Sequence, residues 1–428
     1  MNSLTRFKVL AIAYACNPVQ GSEEGVGWGW VKAIASRHEV DVITAAYHRA
    51  DIEKAQAGEN DSVRRIRFHY VPEKYWHYRP SRPWKFIENT ALKPIMNLAY
   101  SGWQRDAYRL ACRLQAETGY DLVHPITYVG FRFPGRFWKM GIPLVWGPIG
   151  GLENTPWRFL PLMGPAGALY YAGRNVYNSL QILLLPGPKK AFSKASGAII
   201  AATEGIRKEI RRRYGHESRV ICEIGPPDER AESPRPRDAG EPLELIWSGQ
   251  HQPGKALPLL LKALALVDKG VDWRLTVLGC GRKTNSWKWL GRKLGIGGRC
   301  VWPGWIPRDE AVRRMRQAHV GVITSLKDLT STVLLEALSS GLPVICPDSC
   351  GFSNVVTSDC GIKLPVHSPR QLIADLARAV ERLAADENER RRLAAGALRR
   401  IRDFSWEGKA EELDEIYRRA QDLRRLAS

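Results

Sequence analysis

The sequence has no long uninterrupted hydrophobic run and no cluster of cysteines. Its apolar stretches all fall short of the roughly 18 residues that a membrane-spanning helix needs, so we expect no transmembrane segment. The 8 cysteines are scattered, which is typical neither of a disulfide framework nor of a zinc site. Acidic residues are scarce: 44 stand against 64 lysines and arginines, a net charge of +20. This excess indicates an anionic partner such as nucleic acid, an anionic membrane or a phosphorylated substrate.

The N-terminal region has some features of a short signal peptide. Arg6 and Lys8 are followed by the apolar run "VLAIAYAC". The run is near the lower length limit for a signal peptide, and Tyr14 stands where cleavage favours a small residue. We therefore interpret the run as a first β-strand. A cytoplasmic protein is expected, and peripheral attachment to the inner face of the cytoplasmic membrane stays open.

Short apolar runs alternate with helix-length amphipathic segments through most of the chain. Examples are "KVLAIAY" and "EVDVITA" in the first half, and "LELIWSG" and "WRLTVLG" in the second. Near-continuous apolar strands separated by helices indicate parallel sheets covered on both faces. The pattern occurs twice, so it predicts an α/β fold of two Rossmann-like, doubly wound domains facing across a cleft. Ligands of such sheets bind at the carboxyl ends of the strands.

A segment rich in proline and charge divides the two patterns. The stretch "GPPDERAESPRPRDAGEP" has no periodicity and is typical of an interdomain linker. The predicted divisions are an N-terminal acceptor domain at 1–225, a linker at 226–242, a C-terminal donor domain at 243–404 and a final helix within 405–428. Periodicity supports that helix but does not say which domain it packs on.

The second half opens with an incomplete phosphate-binding loop. Gly249, Gly254 and Lys255 fit G-x-x-x-x-G-K, but Ala256 stands where an ATPase loop needs a hydroxyl for Mg²⁺. Backbone amides and an ammonium group beside a helix start still suit a phosphate. The alternative is an exposed lysine without a ligand.

Two acidic residues flank or enter a predicted helix in "SLKDLTSTVLLEALSSG". The helix is expected to begin at Thr330 or Ser331 and to end at Gly341. Asp328 lies in the loop before it, and Glu336 falls among leucines where burial is expected. A buried carboxylate needs partners, and sugar hydroxyls would serve. The alternative is a capping loop with a glutamate that faces solvent.

Several stretches together resemble a known enzyme family. "WSGQHQPGKALPLLLKALA" and "LLEALSSGLPV" resemble the donor half of a family 4 retaining glycosyltransferase of the GT-B fold. "ACNPVQGSEEGVGWGW" and "VWGPIGG" resemble a bacterial branch tied to exopolysaccharide and surface-glycan synthesis. "FSWEGKAEELDEIY" resembles the helix that crosses back to the N-terminal domain in such enzymes. The resemblance implies transfer of a sugar from a nucleoside diphosphate donor to a glycan, with retention at the anomeric carbon.

The resemblance also implies roles for residues of the second half. Lys255 would contact the donor diphosphate, and Gln250 stands where an arginine is usual. Glu336 would bind the ribose, while Asp328 replaces a glutamate that touches the transferred sugar. The other implied donor positions, which meet the phosphates or the base, are Ser331, Thr332, Val333, Gly279 and Gly281.

In the first half, the glycine-rich stretch after the first strand is interpreted as a loop across the cleft from the diphosphate. Its predicted acceptor or diphosphate residues are Gly21, Ser22, Glu23 and Gly25. The alternative is that the glycines only permit close packing. His124 ends a predicted strand, and the resemblance implies a bond to the donor sugar; a structural histidine stays the alternative. With Lys255 and Asp328, it completes the predicted catalytic residues.

The expected partners follow from charge and from the resemblance. They are a nucleotide-sugar donor, a glycan or lipid-linked glycan acceptor and an anionic membrane surface, with no nucleic acid. The membrane is suggested by the basic and aromatic stretch 73–86 and by "FLPLMGPAGALYY". No cofactor or metal is expected, since the sequence has no D-x-D. The alternatives are a GT-B nucleotide-sugar epimerase or phosphorylase, and a basic, non-catalytic nucleic-acid-binding protein.

Overall fold

Apolar strands form the centre of the first half. The computed structural model describes residues 6–21, 23–58, 61–73, 93–227, 231 and 233–427. The first sheet contains four parallel strands in the order β3-β2-β1-β4. They are β1 (Lys8–Ala13), β2 (Glu39–Ala45), β3 (Arg67–Val71) and β4 (Leu122–Pro125). Strand β1 is buried from Val9 onward because neighbouring strands and helices on both faces cover it.

A second, smaller sheet continues the first half. It holds β5 (Trp146–Ile149), β6 (Ile199–Ala201) and β7 (Arg219–Val220), all parallel. A backbone hydrogen bond of 3.0 Å from Val145 N to Val123 O joins it to β4. The helices of this half are α1 (Glu23–Ala35), α2 (Arg49–Gly58), α3 (Asp61–Arg64), α4 (Lys93–Thr118), α5 (Gly164–Leu184), α6 (Pro186–Lys194) and α7 (Glu204–Tyr214).

The second half contains a six-stranded parallel sheet of order β10-β9-β8-β11-β12-β13. Its strands are β8 (Leu243–Ser248), β9 (Trp273–Leu278), β10 (Cys300–Gly304), β11 (Val320–Val322), β12 (Val344–Pro347) and β13 (Gly361–Leu364). The prediction of doubly wound α/β halves is confirmed. The strand order reverses between β8 and β11, which is where ligands bind in such sheets. Strands β7 and β13 are too short, and carry too many polar residues, to be predicted from apolar runs in the sequence.

Helices cover both faces of this sheet and end the chain. They are α8 (Pro258–Leu264), α9 (Thr284–Lys293), α10 (Arg308–Gln317), α11 (Thr332–Ser339), α12 (Phe352–Val355), α13 (Pro369–Ala385), α14 (Glu387–Arg400) and α15 (Trp406–Ala427). In the part of the chain that the structure describes, no helix is both long enough and apolar enough to cross a membrane.

The glycine-rich stretch after β1 is mostly helix, so its interpretation as a loop was wrong. Helix α1 begins at Glu23 and includes Gly25, Gly27 and Gly29. A Cβ at Gly27 would overlap the carbonyl oxygen of Ala15. A Cβ at Gly29 would overlap the indole ring of Trp406 in α15. These two glycines therefore serve close packing, which was the alternative interpretation.

Each half of the chain sends a segment into the other. Phe159, Leu160 and Met163, just before α5, join the hydrophobic core of the second half. In return, α15 packs on α1, and Arg37, two residues after α1, pairs with Glu411 at 2.7 Å. These two crossings hold the carboxyl edges of the two halves close to each other.

We predict that Gly27→Ala lowers the melting temperature by several degrees. The added methyl would lie 2.0 Å from the Ala15 carbonyl oxygen and 2.8 Å from the Thr127 methyl group. Both neighbours must shift, and such overpacking costs about 1–3 kcal/mol. Gly173→Ala in α5 is the matched control, because open space surrounds that position. It should leave the melting temperature unchanged or raise it slightly. Equal melting temperatures for the two variants would contradict this account of α1.

Candidate functional site

Two loops of the second half meet at the carboxyl edge of its sheet. The loop after β8 ends in a 3₁₀ turn at Pro253–Lys255, and the loop after β11 carries Asp328. Because β8 and β11 are neighbours, the Lys255 ammonium reaches the Asp328 carboxylate and forms an ion pair. Both side chains are about one-fifth exposed (23% and 21%), so the pair is accessible from the cleft.

Buried hydrogen bonds fix the position of Lys255. Trp247 Nε1 donates to Thr324 Oγ1 at 2.9 Å, and that hydroxyl donates to the Lys255 carbonyl at 2.6 Å. Leu326 N donates to Gly254 O at 2.9 Å. A Cβ at Gly254 would lie 2.5 Å from the Tyr171 hydroxyl, so a residue of the first half lies against this loop. The lysine is therefore held by contacts from three separate segments.

Glu336 lies in the second turn of α11 and is buried, as predicted. Its carboxylate accepts a hydrogen bond of 2.8 Å from Arg308 Nε, at the start of α10. The Arg308 side chain is 63% exposed, so this partner can move without disturbing the core. Sequence reasoning had not singled out Arg308, because nothing in the chain links it to Glu336, 28 positions away.

The N-terminus of α11 lies at the same edge of the sheet. Ser331 precedes the helix, and its hydroxyl makes no capping bond to a described residue. Thr332 and Val333 form the first turn, whose backbone N–H groups have no partners within the helix. Such N–H groups, together with the positive end of the helix, favour an anion.

The remaining predicted donor residues lie around the loop after β8. Gln250 is exposed, and its side-chain oxygen accepts a hydrogen bond from the Gln252 amide. Gly279 adopts φ +101°, and a Cβ there would overlap the Gly249 carbonyl. A Cβ at Gly281 would lie 2.8 Å from the His251 carbonyl. Both glycines let the loops after β8 and β9 approach closely, and a role in a base pocket stays a prediction.

Of the four residues predicted for an acceptor loop in the first half, Gly21 is the one that the structure describes outside a helix. Gly21 is exposed with open space around it, and Ser22 lies outside the described residues. Glu23 begins α1 and accepts a 2.7 Å hydrogen bond from Tyr128 N, while burial raises its pKa. Gly25 is a helix residue, not a loop residue. The basic and aromatic stretch 73–86 also lies outside the described residues, apart from Glu73.

His124 does not face the cleft, so the structure corrects its predicted catalytic role. The ring is fully buried in β4. Nε2 donates to the Gly147 carbonyl at 2.9 Å, which leaves Nδ1 to accept from the Tyr417 hydroxyl at 2.8 Å. Burial lowers the pKa of His124 to about 4, so the imidazole is neutral. The residue therefore links the first sheet to α15, as in the alternative interpretation.

Three cations that sequence reasoning missed lie where the halves meet. Lys327 donates to the Glu153 carbonyl, and Arg132 donates to the side-chain oxygens of Gln181, at 2.5 Å, and Asn178. Burial lowers the pKa of Lys327 to about 8 and that of Arg132 to about 10. The positive charge of Arg174, the third cation, adds to both shifts. Among the described residues, neither Lys327 nor Arg132 pairs with a carboxylate. The three come from distant segments, so only the fold unites them.

A buried carboxyl joins the first half to the start of α11. Glu223 accepts a 2.7 Å hydrogen bond from Thr330 N, and burial raises its pKa to about 7. Glu23 lies close enough to add to this shift. Elsewhere at the same junction, Asn354 Oδ1 accepts a 2.8 Å bond from Glu204 N. Within the described ranges, no group of three or more His, Cys, Asp or Glu side chains could hold a metal ion.

The second half of the chain is similar to a known protein family. Residues 228–400 match the family model "Glycosyl transferases group 1". A D-inositol 3-phosphate glycosyltransferase of Streptomyces bingchenggensis is 30% identical over 256 residues, 55% of each chain. The Nocardia farcinica protein of that name is 27% identical over 323 residues, 70% of this chain and 66% of its own. The chain spans about half the length of the first curated relatives that it matches.

Solved structures match almost the whole chain. The lipopolysaccharide outer core galactosyltransferase WaaB has a TM-score of 0.63 at 15% identity, covering 96% of this chain and 99% of its own. HepE of Anabaena, solved with UDP, has a TM-score of 0.58 at 14% identity and covers 95% and 98%. The fold is therefore GT-B. Within it, residues 228–400 are the part that is similar to glycosyl transferases group 1.

We predict that Glu223→Gln changes how stability depends on pH. A carboxyl whose pKa is raised on folding stabilises the native state while protonated, and that stability is lost as pH rises towards the folded pKa of about 7. Relative to the variant, the wild type should therefore lose melting temperature between about pH 5 and about pH 8. Thermal unfolding of both proteins across this range checks it. A difference that is constant with pH would contradict the assignment.

Proposed function

We propose that the protein is a retaining, metal-independent glycosyltransferase that moves a sugar from a nucleoside diphosphate donor to a glycan acceptor. One observation carries the proposal: the Lys255–Asp328 pair lies at the reversal point of the second sheet, and the helix that follows Asp328 bears the buried Glu336. A cation suits the diphosphate and a buried carboxylate suits ribose hydroxyls. The match of residues 228–400 to glycosyl transferases group 1 supports the same conclusion.

In this proposal, fixed positive groups stabilise the leaving diphosphate. They are the Lys255 ammonium and the first N–H groups of α11; Gln250 adds a neutral donor. The bond from the anomeric carbon to the diphosphate oxygen breaks through an oxocarbenium-like transition state. The acceptor hydroxyl attacks on the same face, and its proton passes to the departing phosphate oxygen. No protein base is needed, and Asp328 would orient the transferred sugar.

Charge at the junction of the halves supports an acceptor that carries an anionic group. Arg132, Arg174 and Lys327 concentrate positive charge there, and Lys327 directly precedes Asp328. A lipid-linked glycan of surface or exopolysaccharide synthesis would supply a phosphate. The curated relatives are named for D-inositol 3-phosphate, which also carries a phosphate. Lys327 also supplies positive charge that is missing at Gln250, which stands where an arginine is usual.

The donor site is tested with UDP-, GDP- and ADP-sugars in the presence of EDTA. The wild type should bind one nucleotide, and Glu336→Gln should weaken that binding roughly 10- to 100-fold, because a charge-assisted hydrogen bond is lost. The matched control is Glu217→Gln, a surface residue paired with Arg211. It should leave binding unchanged. No binding to any donor, or strict dependence on Mg²⁺, would overturn the proposal; isomerisation of the donor without acceptor would favour an epimerase.

Lys255→Met separates the phosphate contact from the base contact. The variant should bind the nucleoside diphosphate at least about tenfold more weakly, since a charged contact is lost, and should transfer sugar about 10²–10³ times more slowly. Its affinity for the matching nucleoside, which lacks phosphate, should stay at the wild-type value. Calorimetry with both ligands measures this. An equal loss for nucleoside and diphosphate would indicate damage to the loop instead of a lost phosphate contact.

A further inference from the structure

Helix α5 (Gly164–Leu184) exposes most of its large apolar residues and buries two of its asparagines. Among the outward residues, Leu169 is 78% exposed, Leu183 78% and Leu184 69%. Val176, Tyr177 and Leu180 are exposed as well. A surface helix normally turns such a stripe towards the core. Single exposed leucines are common, but a continuous stripe marks an interaction surface.

The exposed residues form one continuous face. Leu169, Val176 and Leu180 are separated by seven and four residues, and Leu183 and Leu184 follow three and four residues further on. At 100° per residue these positions fall within one arc of the helix, which also holds Tyr177. We call this arc the outer face of α5.

The opposite side of α5 buries Tyr171 and Ile182, and two asparagines hold it against the protein by hydrogen bonds. Asn175 is buried; its Oδ1 accepts from Thr155 N at 3.0 Å and its Nδ2 donates to Thr155 O at 2.8 Å. Asn178 is also buried, donates to Asn154 Oδ1 at 2.7 Å and accepts from Arg132. These bonds fix the rotation of the helix, because turning it inward would leave both amides unpaired. The outer face is therefore a consequence of the fold.

The segment of chain that contains α5 carries charge of one sign. No acidic residue occurs between Glu153 and Glu204. The same stretch carries several cations, which are all exposed: Arg158, Arg174, Lys189, Lys190 and Lys194. Two copies of such a surface would repel each other, whereas an anionic surface complements it. A tyrosine at the edge of the arc also suits a lipid interface.

We propose that the outer face of α5 binds the headgroup region of an anionic phospholipid membrane, with the leucines in the acyl boundary and the lysines of α6 on the lipid phosphates. Binding of this kind combines buried apolar area with attraction to anionic lipid. It would place the junction cations Arg132 and Arg174 near the surface where a lipid-linked acceptor is anchored. This last point alone rests on the proposed function; vesicle binding does not.

The test is flotation of the full chain, without any substrate, with two kinds of vesicle. One is phosphatidylcholine alone, and the other is phosphatidylcholine mixed with phosphatidylglycerol. The wild type should float with the mixed vesicles, and added salt should weaken that binding. Leu180→Gln/Leu184→Gln should lower the partition coefficient at least about tenfold, because leucine burial is lost while helix propensity is kept. Leu266→Gln, at a leucine that is exposed in the second half, is the matched control and should bind like the wild type.

A second variant tests the charge separately. Lys189→Gln/Lys190→Gln should lower binding to the mixed vesicles by roughly tenfold and leave binding to phosphatidylcholine unchanged. Absence of wild-type flotation with the mixed vesicles would overturn the proposal, as would wild-type binding by the leucine double variant. A dimer in lipid-free solution that the leucine double variant dissociates would also overturn it, since the face would then join two copies. Donor binding, measured separately, can fail without affecting any of these outcomes.

Discussion

The indole of Trp406 fills the space that two glycines leave in the first half, and the geometry of the cleft depends on this contact. A Cβ at either Gly29 or Gly225 would overlap the ring. Trp406 begins α15, so its position directs the last helix onto α1. Lys409, one turn later, is buried and donates to Ile224 O at 2.6 Å and Phe404 O at 2.8 Å. The end of the second half is thereby fixed to the end of the first.

With this anchor in place, the two carboxyl edges meet through a few specific contacts. Glu223 accepts from Thr330 N, and Gly150 lies so close to Leu329 that a Cβ would come within 2.9 Å of the leucine side chain. Both contacts touch the loop between Asp328 and α11. The loop that carries the candidate donor site is thus shaped from both halves, so residues of the first half help to position Asp328.

Burial sets the electrostatic character of the junction. Glu23 and Glu223 have raised pKa values because burial disfavours their charged forms, while Lys327 and Arg132 have lowered ones for the same reason. Because neither Lys327 nor Arg132 forms an ion pair with a described carboxylate, both cations gain from an anionic ligand. The Lys255–Asp328 pair differs, since it satisfies itself and stays partly exposed.

The fold class and the local elements that carry the candidate donor site could be predicted from the chain. Strands apolar on both faces allow no environment other than a covered parallel sheet, so runs such as "KVLAIAY" determined the architecture. The loop that ends at Lys255 and the helix that buries Glu336 could likewise be predicted from the local sequence, because each lies within one strand-loop-helix unit. Retention, metal independence and the acceptor are not encoded in such units, and they stay proposals.

Tertiary structure alone decided what depends on contacts between distant segments. The glycines of α1 predict a loop by composition, but Ala15 and Trp406 make them a packing surface. His124 ends a strand at the expected edge, yet Tyr417, 293 positions away, encloses it. Contacts between distant segments also bring together the cations Arg132, Arg174 and Lys327. They likewise turn the leucines of α5 outward. Periodicity reveals that a helix has two sides, but only its neighbours decide which side faces the protein.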